Sequence, residues 1–510
     1  MTKTYYITTP IYYVNDKPHI GHAYTSLACD VLARCMRLDG REVKFLTGTD
    51  EHGQKVEKSA QKAGKTPQQF TNEVSMHFQN LAKIMNFSHD DFIRTTEERH
   101  KKGAQALWQK LEQNGHIYLG KYEGWYSVRD EAFYAESELI DGKAPTGADI
   151  EWVEEPSYFF KLSNLGDKLL EYYEQNPDFI KPKSRRNEVI SFVKSGLLDL
   201  SISRTSFSWG ITVPGDEKHI MYVWLDALTN YISALGFPAQ TADFTKFWPA
   251  DLHIIGKDIT RFHAIYWPAF LIAADITLPK TITAHGWWTN EGEKISKSLG
   301  NVIDPVKLVE EFGLDATRYF LMREINFGND GNFARKNMIL RINSELANNI
   351  GNLVQRTLSF IHKNANGIVP QVSAEFIADI YQNNALIAQA KDLYNKFMAD
   401  METQNIRGAI KKIIDLSSNA NIYIDQEAPW SLRKTNPDKM LQVLYFLIEI
   451  FRYLAIYLQP FTPDSASKIL DFLNVEARQF KHLNFEHHLK PGAKLKQPEP
   501  IFPRFKEELC

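Results

Sequence analysis

Two short segments carry residues whose types and spacing suit phosphate chemistry, and the first lies near the N-terminus. His19 and His22 are three residues apart in the sequence His-Ile-Gly-His, so they share one face of a helical turn. The first turn of a helix favours anions, and Gly21 leaves room for a flat ring or a backbone to approach. Taken alone, the tetrapeptide is more typical of two surface or capping histidines.

The second segment is Lys294-Ile-Ser-Lys-Ser298, which the surrounding polar residues predict to be a loop. Lys294 and Lys297 can reach the same point in space. Lysines act on phosphate as movable point charges, which suits the charge that builds on a leaving pyrophosphate. A solvated turn is the ordinary interpretation of such a loop alone, but the histidine segment and this loop together favour phosphoryl chemistry.

The elements around the histidines predict a parallel strand, helix and strand. Aromatic and β-branched residues from Thr4 predict a strand that ends before Pro10. Apolar residues at helical spacing then predict a helix that ends at Gly40, and a second strand from Glu42 leads into residues 48–53. Because ligands bind at the carboxyl ends of parallel strands, we expect the histidines and residues 48–53 at one edge of a sheet.

The rest of the chain predicts further units. Residues 116–220 combine short aromatic strands and turns with little sustained helix, which is typical of an insertion into a sheet that resumes afterwards. Beyond about residue 335 nearly every segment has helical periodicity, and the last stretch is rich in Pro and Lys and is expected to be an extended surface tail. We therefore expect six segments, with the bounds 1–115, 116–220, 221–290, 291–340, 341–485 and 486–510.

Composition limits the class of protein. A chain of 510 residues with 44% hydrophobic and 24% charged residues is typical of a soluble protein with several domains. No stretch is apolar for the roughly 20 residues that span a bilayer, and no targeting segment is evident, so no membrane partner and a cytoplasmic location are expected. The net charge of −3 means that a nucleic-acid surface would be a local patch. The three cysteines form no CxxC pair, so we expect no cysteine-built zinc site.

The two signature segments resemble those of the class I aminoacyl-tRNA synthetases, although Ile295 stands where that family more often has Met. The resemblance extends from the first strand to Trp430 and points to the methionine-specific branch. The segments that carry it are residues 8–15, 48–53, 201–207, 222–227, 256–259 and 427–430. A synthetase for another amino acid is the nearest alternative, although those for Ile, Val and Leu usually carry a larger editing insertion. The second alternative is a non-catalytic RNA-binding protein that has kept the fold.

The resemblance implies an α/β fold of defined parts. A Rossmann-type parallel-sheet catalytic domain (1–115 and 221–290) would be split by an inserted connective domain (116–220). A signature-loop and stem-contact region (291–340), an α-helical anticodon-binding bundle (341–485) and a tail (486–510) would follow. The implied activity is ATP-dependent activation of methionine to methionyl-adenylate, with Mg²⁺ accompanying ATP, and transfer to the 3′-terminal ribose of tRNA(Met). Many relatives bind zinc with cysteines that residues 124–133 lack, and the missing C-terminal dimerising module favours a monomer.

The resemblance also implies roles for individual residues. The catalytic residues would be His19, His22, Lys294 and Lys297. ATP would contact Gly21, Gly256, Lys257, Asp258 and Lys297. The methionine pocket would be formed by Ile11, Tyr13, Asp50, Trp224, Ala227, Leu228, Tyr231, Ile259 and His263. The anticodon would contact Asn352, Arg356 and Trp430.

Most of these residues also have an ordinary structural interpretation. The helical stripe of Trp224, Ala227, Leu228 and Tyr231 is usually a core face, although apolar and aromatic surface also suits a flexible thioether. A lone histidine such as His263 is more often a satisfied core residue. Asp50, which the resemblance assigns to the methionine ammonium, could instead cap the next helix, and Lys257 and Asp258 could be surface charges. The three anticodon residues suit base stacking and hydrogen bonding, but each alone would be routine.

Overall fold

A parallel sheet of seven strands forms the centre of the N-terminal half. The computed structural model describes residues 3–15, 17–130, 132–134, 136–295 and 300–506. Six strands follow one another across the sheet, and the seventh, Asp91–Arg94, pairs with Glu42–Asp50. In spatial order the six are Tyr12–Tyr13, Glu42–Asp50, Thr4–Thr8, Leu252–Gly256, Ile282–His285 and Ile180–Lys181. Every neighbouring pair is parallel, which confirms the predicted α/β fold.

The predicted strand, helix and strand at the N-terminus are all present. The helix Ile20–Leu38 connects Thr4–Thr8 to Glu42–Asp50, and nearly all of its residues from Ala23 to Met36 are buried. It ends before Gly40, whose φ of +82° is the left-handed conformation that glycine adopts readily. This crossover places the first turn of the helix beside the carboxyl ends of the strands.

Other helices cover the central sheet and the segment after it. A π-helical turn at Phe262–Tyr266 leads directly into the helix Trp267–Ala273. The α-helices are Gln54–Lys62, Pro67–Ile84, Glu98–Gln113, Val223–Leu228, Asn230–Ser233, Ala242–Phe247, Trp267–Ala273, Pro305–Phe312 and Leu314–Arg323.

The inserted segment contains two antiparallel sheets and two helices. One sheet contains Ile117–Ser127, Ala132–Tyr134, Glu151–Phe160 and Leu200–Ser201, and the other contains Ser203–Arg204, Thr212–Val213 and Asp216–Met221. The expectation of little helix was wrong, because Gly166–Gln175 and Lys183–Lys194 are helical. Each buries one apolar pair at a spacing of four, Leu169 with Tyr173 and Val189 with Val193. Between them, Ile180–Lys181 pairs with the central sheet.

A small sheet follows the central sheet along the chain and carries the beginning of the lysine segment. Its strands are Trp288–Asn290, Glu293–Lys294 and Gly331–Phe333. The outer two pair with Trp288–Asn290, antiparallel and parallel respectively. This arrangement fixes the backbone as far as Lys294.

The C-terminal part is the predicted helical bundle. Its helices are Arg335–Arg341, a π-helical segment Ile342–Gly351, Asn352–Asn364, Ala374–Asn383, Ala385–Glu402, Ile406–Glu427, Pro429–Thr435, Pro437–Leu458 and Pro463–Phe472. The expectation that no segment has the length and apolarity of a bilayer span was wrong for Pro437–Leu458. That helix is 89% buried over its most apolar stretch, because it forms the centre of the bundle. Leu495, Ile501 and Phe502 anchor the irregular tail to the same core.

A buried ion pair connects the helix Ile20–Leu38 to the helix Leu314–Arg323, and its arginine also reaches the bundle. Arg318 and Asp30 are both fully buried, with 2.6 Å between Nη2 and Oδ2. The same guanidinium donates to the backbone carbonyls of Met85 and Pro460. A charge buried this deeply is tolerated only when it is paired and fully hydrogen-bonded. The contact therefore fixes the helix that begins with the histidine segment against the bundle.

Candidate active site

A cavity of about 750 Å³ opens at the carboxyl ends of the central strands. Its size suits a ligand larger than one amino acid. Fourteen of the residues proposed from the sequence line it, and they come from both halves of the catalytic domain: Ile11, Tyr13, His19, Gly21, His22, Asp50, Trp224, Ala227, Leu228, Tyr231, Gly256, Asp258, Ile259 and His263.

The two histidines cap the helix and line the cavity at the same time. The backbone N–H of Gly21 donates to Nδ1 of His19, and the backbone N–H of His19 donates to Nδ1 of His22, both at 3.1 Å. This reciprocal pair is a capping box made of imidazoles. A Cβ on Gly21 would lie 2.9 Å from the His19 ring, so the capping ring itself requires glycine at this position.

The caps determine which nitrogen of each ring carries the proton. Because a backbone N–H can only donate, each Nδ1 must accept, and the proton of the neutral ring lies on Nε2. Burial lowers the pKa of His19 and lowers that of His22 well below its usual value. The ring centroids are 3.9 Å apart, which further disfavours protonation of both rings. Near neutral pH the pair therefore presents two neutral Nε2–H donors.

Aromatic rings form one wall of the cavity. Trp224 stacks on Phe262 with 3.7 Å between ring centroids and 5° between ring planes. Phe262 begins the π-helical turn that also carries His263, and π-turns are frequent at functional sites because they redirect side chains. The stripe of Trp224, Ala227, Leu228 and Tyr231 thus lines the cavity, and all but Trp224 are also buried.

A hydrogen-bond chain fixes His263 within this wall. Its Nδ1 lies 3.0 Å from the carbonyl oxygen of Ile259, which can only accept, so Nδ1 carries the proton. Nε2 then accepts from the hydroxyl of Tyr231 at 2.7 Å. Burial lowers the pKa of His263 to about 4, so the ring is neutral near pH 7. Tyr231 is held in turn by Tyr6, whose hydroxyl donates to the Tyr231 carbonyl at 2.9 Å. His263 is therefore hydrogen-bonded on both sides and still lines the cavity.

Asp50 ends the strand Glu42–Asp50, where it is opposite Tyr13 in the parallel register. The alternative role as a helix cap is not realised. The N-cap of the next helix, Gln54–Lys62, is Gly53, with a φ of +109° and no capping side chain. The Asp50 side chain is almost fully buried at the cavity wall. It therefore presents a carboxylate to whatever occupies this end of the cavity.

The expected nucleotide side is built around Trp287. Lys257 lies over its ring at 4.2 Å and forms an ion pair with Asp330 at 2.7 Å, and that contact lowers the pKa of the Asp330 carboxyl. Lys257 is consequently not among the residues that line the cavity. Asp258 accepts from Trp287 Nε1 at 3.1 Å. A Cβ on Gly256 would lie 2.6 Å from the Asp258 carboxylate, so the loop requires glycine there.

The lysine segment is described only in part. The backbone of Lys294 ends a strand that pairs with Thr289, and Ile295 lines the cavity. Lys297 lies outside the described residues. The backbone up to Ile295 nevertheless brings the start of this segment to the same cavity as the two histidines.

Sequence reasoning missed a buried polar cluster behind the cavity wall. Asp226, on the helix Val223–Leu228, lies between His52 and His100 at 2.7 Å from each. Asp226 and His52 both fall inside segments that carried the family resemblance, and a carboxylate on an otherwise apolar helix signals a buried partner. His285, which ends a central strand and bonds to Thr25 at 2.7 Å, also lines the cavity and was missed.

No metal cluster is evident in the described residues. In those parts of the chain, no group of three or more His, Cys, Asp or Glu side chains is arranged to hold an ion. Cys29 and Cys35 are buried thiols within the helix Ile20–Leu38. Burial raises the pKa of both thiols well above its usual value, so they remain protonated.

The proposed anticodon residues lie on neighbouring helices of the bundle. Asn352 is exposed at the start of Asn352–Asn364, and Arg356, one turn later, pairs with Asp425 at 3.2 Å. Trp430, in the helix Pro429–Thr435, leaves 46% of its surface exposed. Arg433 donates to Asn364 at 3.2 Å and so joins these two helices. An exposed tryptophan beside an arginine is a surface on which a base can stack.

Comparison with known proteins gives consistent matches over both parts of the chain. The family model described as tRNA synthetases class I (M) matches residues 5–151 and 137–358. The family model described as the anticodon binding domain of methionyl tRNA ligase matches residues 376–509.

Individual relatives match over their full length. A methionine–tRNA ligase of Rickettsia bellii is 64% identical, with 99% of this chain and 100% of the relative covered. One of Rhizobium meliloti is 53% identical, with 99% and 98% covered. The solved Mycobacterium tuberculosis methionyl-tRNA synthetase in complex with methionyl-adenylate has a TM-score of 0.94 at 47% identity, with 99% of this chain and 100% of that chain covered. Its apo form has a TM-score of 0.87 at 45% identity, with 99% of each chain covered.

Proposed function

This chain belongs to the methionyl-tRNA synthetases of the class I tRNA synthetase family, and we propose that the cavity described above is where it activates methionine. Its activity is the ATP-dependent joining of methionine to tRNA. One observation supports the site assignment most strongly. The capping histidines, the start of the lysine segment and the aromatic stripe all line the same cavity.

Methionine would bind between the aromatic wall and Asp50. The aliphatic side chain and thioether would contact Trp224, Ala227 and Leu228, with Ile11, Tyr13, Tyr231, Ile259 and His263 completing the pocket. The Asp50 carboxylate would pair with the α-ammonium. This arrangement directs the methionine carboxylate away from Asp50 and toward the histidine end of the cavity. An apolar pocket with one charged anchor is suited to an amino acid whose only polar groups lie at one end.

The reaction needs no protein nucleophile. A methionine carboxylate oxygen attacks the α-phosphorus of ATP, the new O–P bond forms, and the bond to the bridging oxygen breaks with release of pyrophosphate. A hydroxyl of the terminal tRNA ribose then attacks the methionyl carbonyl, and AMP leaves. The protein's task is to position the reactants and stabilise phosphate charge, for which Gly21, Gly256 and Asp258 would contact the nucleotide.

Two kinds of donor would act on the phosphates. His19 and His22 are held by their caps as neutral Nε2–H donors, so they would contribute directed hydrogen bonds rather than positive charge. Lys294 and Lys297 would contribute the positive charge. Lys257 would contribute indirectly, by holding Asp330 and Trp287 at the nucleotide side. Mg²⁺ usually binds through substrate phosphates and waters, where it neutralises charge, and this suits a cavity without its own metal cluster in the described residues.

The test separates the catalytic role of His19 from its capping role. In the variant His19→Ser the serine hydroxyl still caps the helix, but the Nε2–H donor is gone. We expect ATP–pyrophosphate exchange to fall about 10²- to 10³-fold with little change in thermal unfolding. Lys297→Ala should cause a loss of similar size. Near-normal exchange in either variant would overturn the corresponding assignment.

We also propose domain boundaries, anticodon contacts, an oligomeric state and a location for this protein. The domain boundaries are those expected from the sequence. The anticodon would contact Asn352, Arg356 and Trp430. A monomer is proposed because one chain supplies both the cavity and the bundle. A cytoplasmic location is proposed because the tRNA product is used there. We propose that the inserted domain is zinc-free, since its sequence contains no cysteine.

A further inference from the structure

A buried carboxylate ties two sides of the proposed methionine pocket together from behind. Asp226 is 1% exposed, and its two oxygens are each 2.7 Å from a histidine nitrogen, Nδ1 of His52 and Nε2 of His100. The nearby imidazoles hold the pKa of Asp226 at about 2, below its usual value. An ionised carboxylate can only accept hydrogen bonds, so both histidines donate to it.

Each partner leads to a different wall. Asp226 lies between Trp224 and Ala227 on the short helix Val223–Leu228, but it is not one of the residues that line the cavity. His52 follows the end of the strand that carries Asp50 by two residues. The bond from Asp226 to His52 thus spans from the aromatic wall to the ammonium end of the pocket.

The second histidine anchors this bond to the body of the domain. His100 is fully buried on the helix Glu98–Gln113, and its Nδ1 lies 2.9 Å from the hydroxyl of Ser233. Ser233 belongs to the helix Asn230–Ser233, which also carries Tyr231. The cluster therefore connects three segments that are distant in sequence, and its removal would take away the polar contacts that join the helix Val223–Leu228 to His52 and His100.

The strand-end loop has few other polar ties to the aromatic wall. The carbonyl of Glu51 accepts from Trp209 Nε1 at 2.6 Å, and Gly53 N–H donates to the Trp209 carbonyl at 3.0 Å. Both contacts lead to the inserted domain. Within the parts of the chain that the structure describes, the bond from His52 to Asp226 joins residues 51–53 directly to the helix Val223–Leu228.

We propose that Asp226 is a positioning residue that sets the width of the methionine pocket and thereby its selectivity for methionine over longer thioethers. The proposal rests on the assignment of this pocket to the methionine side chain. Apolar pockets discriminate one methylene by only about 10- to 200-fold, and that discrimination requires walls that do not move. The charged bonds to His52 and His100 supply this rigidity without touching the substrate.

The test compares methionine with ethionine, which is one methylene longer. In Asp226→Asn the side chain keeps its shape, but its amide presents N–H groups toward a histidine N–H. We expect the KM for methionine to rise about 10-fold while the KM for ATP stays within about 3-fold. The ratio of kcat/KM for methionine to that for ethionine in ATP–pyrophosphate exchange should fall about 10-fold.

The matched control is another buried carboxylate far from the pocket. Asp315 accepts from the backbone N–H of Ser465 at 2.6 Å, where the catalytic half meets the bundle. Asp315→Asn should lower thermal stability and leave the methionine to ethionine ratio unchanged. This control separates loss of a buried carboxylate in general from loss of this one.

A second pair of variants keeps the proposal testable if Asp226→Asn does not fold. His52→Leu removes the donor, whereas His52→Asn can place an amide N–H near the former Nδ1. The leucine variant should lose the methionine to ethionine discrimination and the asparagine variant should recover most of it. An unchanged ratio in folded Asp226→Asn or His52→Leu, or equal increases in the KM for methionine and for ATP, would overturn the proposal. If the unmodified protein shows exchange with an amino acid other than methionine while His19→Ser behaves as expected, the pocket assignment fails and the catalytic assignment stands.

Discussion

Removing one hydroxyl from the pocket should weaken methionine binding without weakening ATP binding. In Tyr231→Phe, Nε2 of His263 loses the donor that lies 2.7 Å away, while Nδ1 stays bonded to Ile259. In the empty cavity water can replace the hydroxyl. When methionine enters, that water is excluded and a buried acceptor is left unsatisfied, which costs about 1–3 kcal/mol. The KM for methionine should therefore rise about 5- to 150-fold.

The assay is ATP–pyrophosphate exchange with methionine and ATP varied separately. Tyr6→Phe is the matched control, because it removes a hydroxyl that donates to the Tyr231 carbonyl at 2.9 Å and is buried with or without ligand. That variant should lose unfolding free energy and keep its KM for methionine within about 2-fold. The reasoning is refuted if Tyr231→Phe keeps a normal KM for methionine, or if its KM for ATP rises equally.

Three further predictions concern the bundle, pH and metal content. Trp430→Ala should lower kcat/KM for tRNA about 5- to 150-fold, because base stacking contributes about 1–3 kcal/mol, while ATP–pyrophosphate exchange stays normal; equal loss in both assays would contradict the anticodon role. His263 has a folded pKa of about 4 against 6.5 when unfolded, so the unfolded state binds more protons between these values and the free energy of unfolding should fall by about 1 kcal/mol from this residue between pH 7.5 and pH 5.5. Urea titrations should show a shallower pH dependence in His263→Gln, and an equally steep one would refute the assignment. Elemental analysis of the purified protein should find less than one zinc ion per chain. One tightly bound zinc ion per chain would contradict the prediction and would show that side chains other than cysteines of the inserted domain bind it.

The parts of the fold with strong periodicity were predictable from the sequence. The helix Ile20–Leu38 has apolar residues at helical spacing, the strand before it is rich in aromatic and β-branched residues, and parallel pairing follows from the crossover rule. The helices Gly166–Gln175 and Lys183–Lys194 were not predicted, because each is short and surrounded by aromatic residues that resemble strands. The apolar helix Pro437–Leu458 was also not recognised as long enough to span a bilayer, since Glu449 and Arg452 interrupt its sequence; in the fold these two form a buried pair.

The candidate site was predictable where it lies within local segments. His19 and His22 share one turn, and Trp224 and Tyr231 share one stripe, so their spacing places them together. Contacts between distant segments were not predictable. Asp226 meets His100 across 126 residues, and Lys257 meets Asp330 across 73 residues, and no periodicity connects such pairs. The role of Lys257 beside the cavity follows from that distant pairing.

The most direct test of the central claim is ATP–pyrophosphate exchange measured with each of the twenty amino acids, with and without tRNA. The pocket and the phosphate donors described here predict exchange with methionine alone. Exchange with a different amino acid would contradict the pocket assignment while leaving the fold intact, and no exchange with any amino acid would contradict the assignment of the catalytic residues.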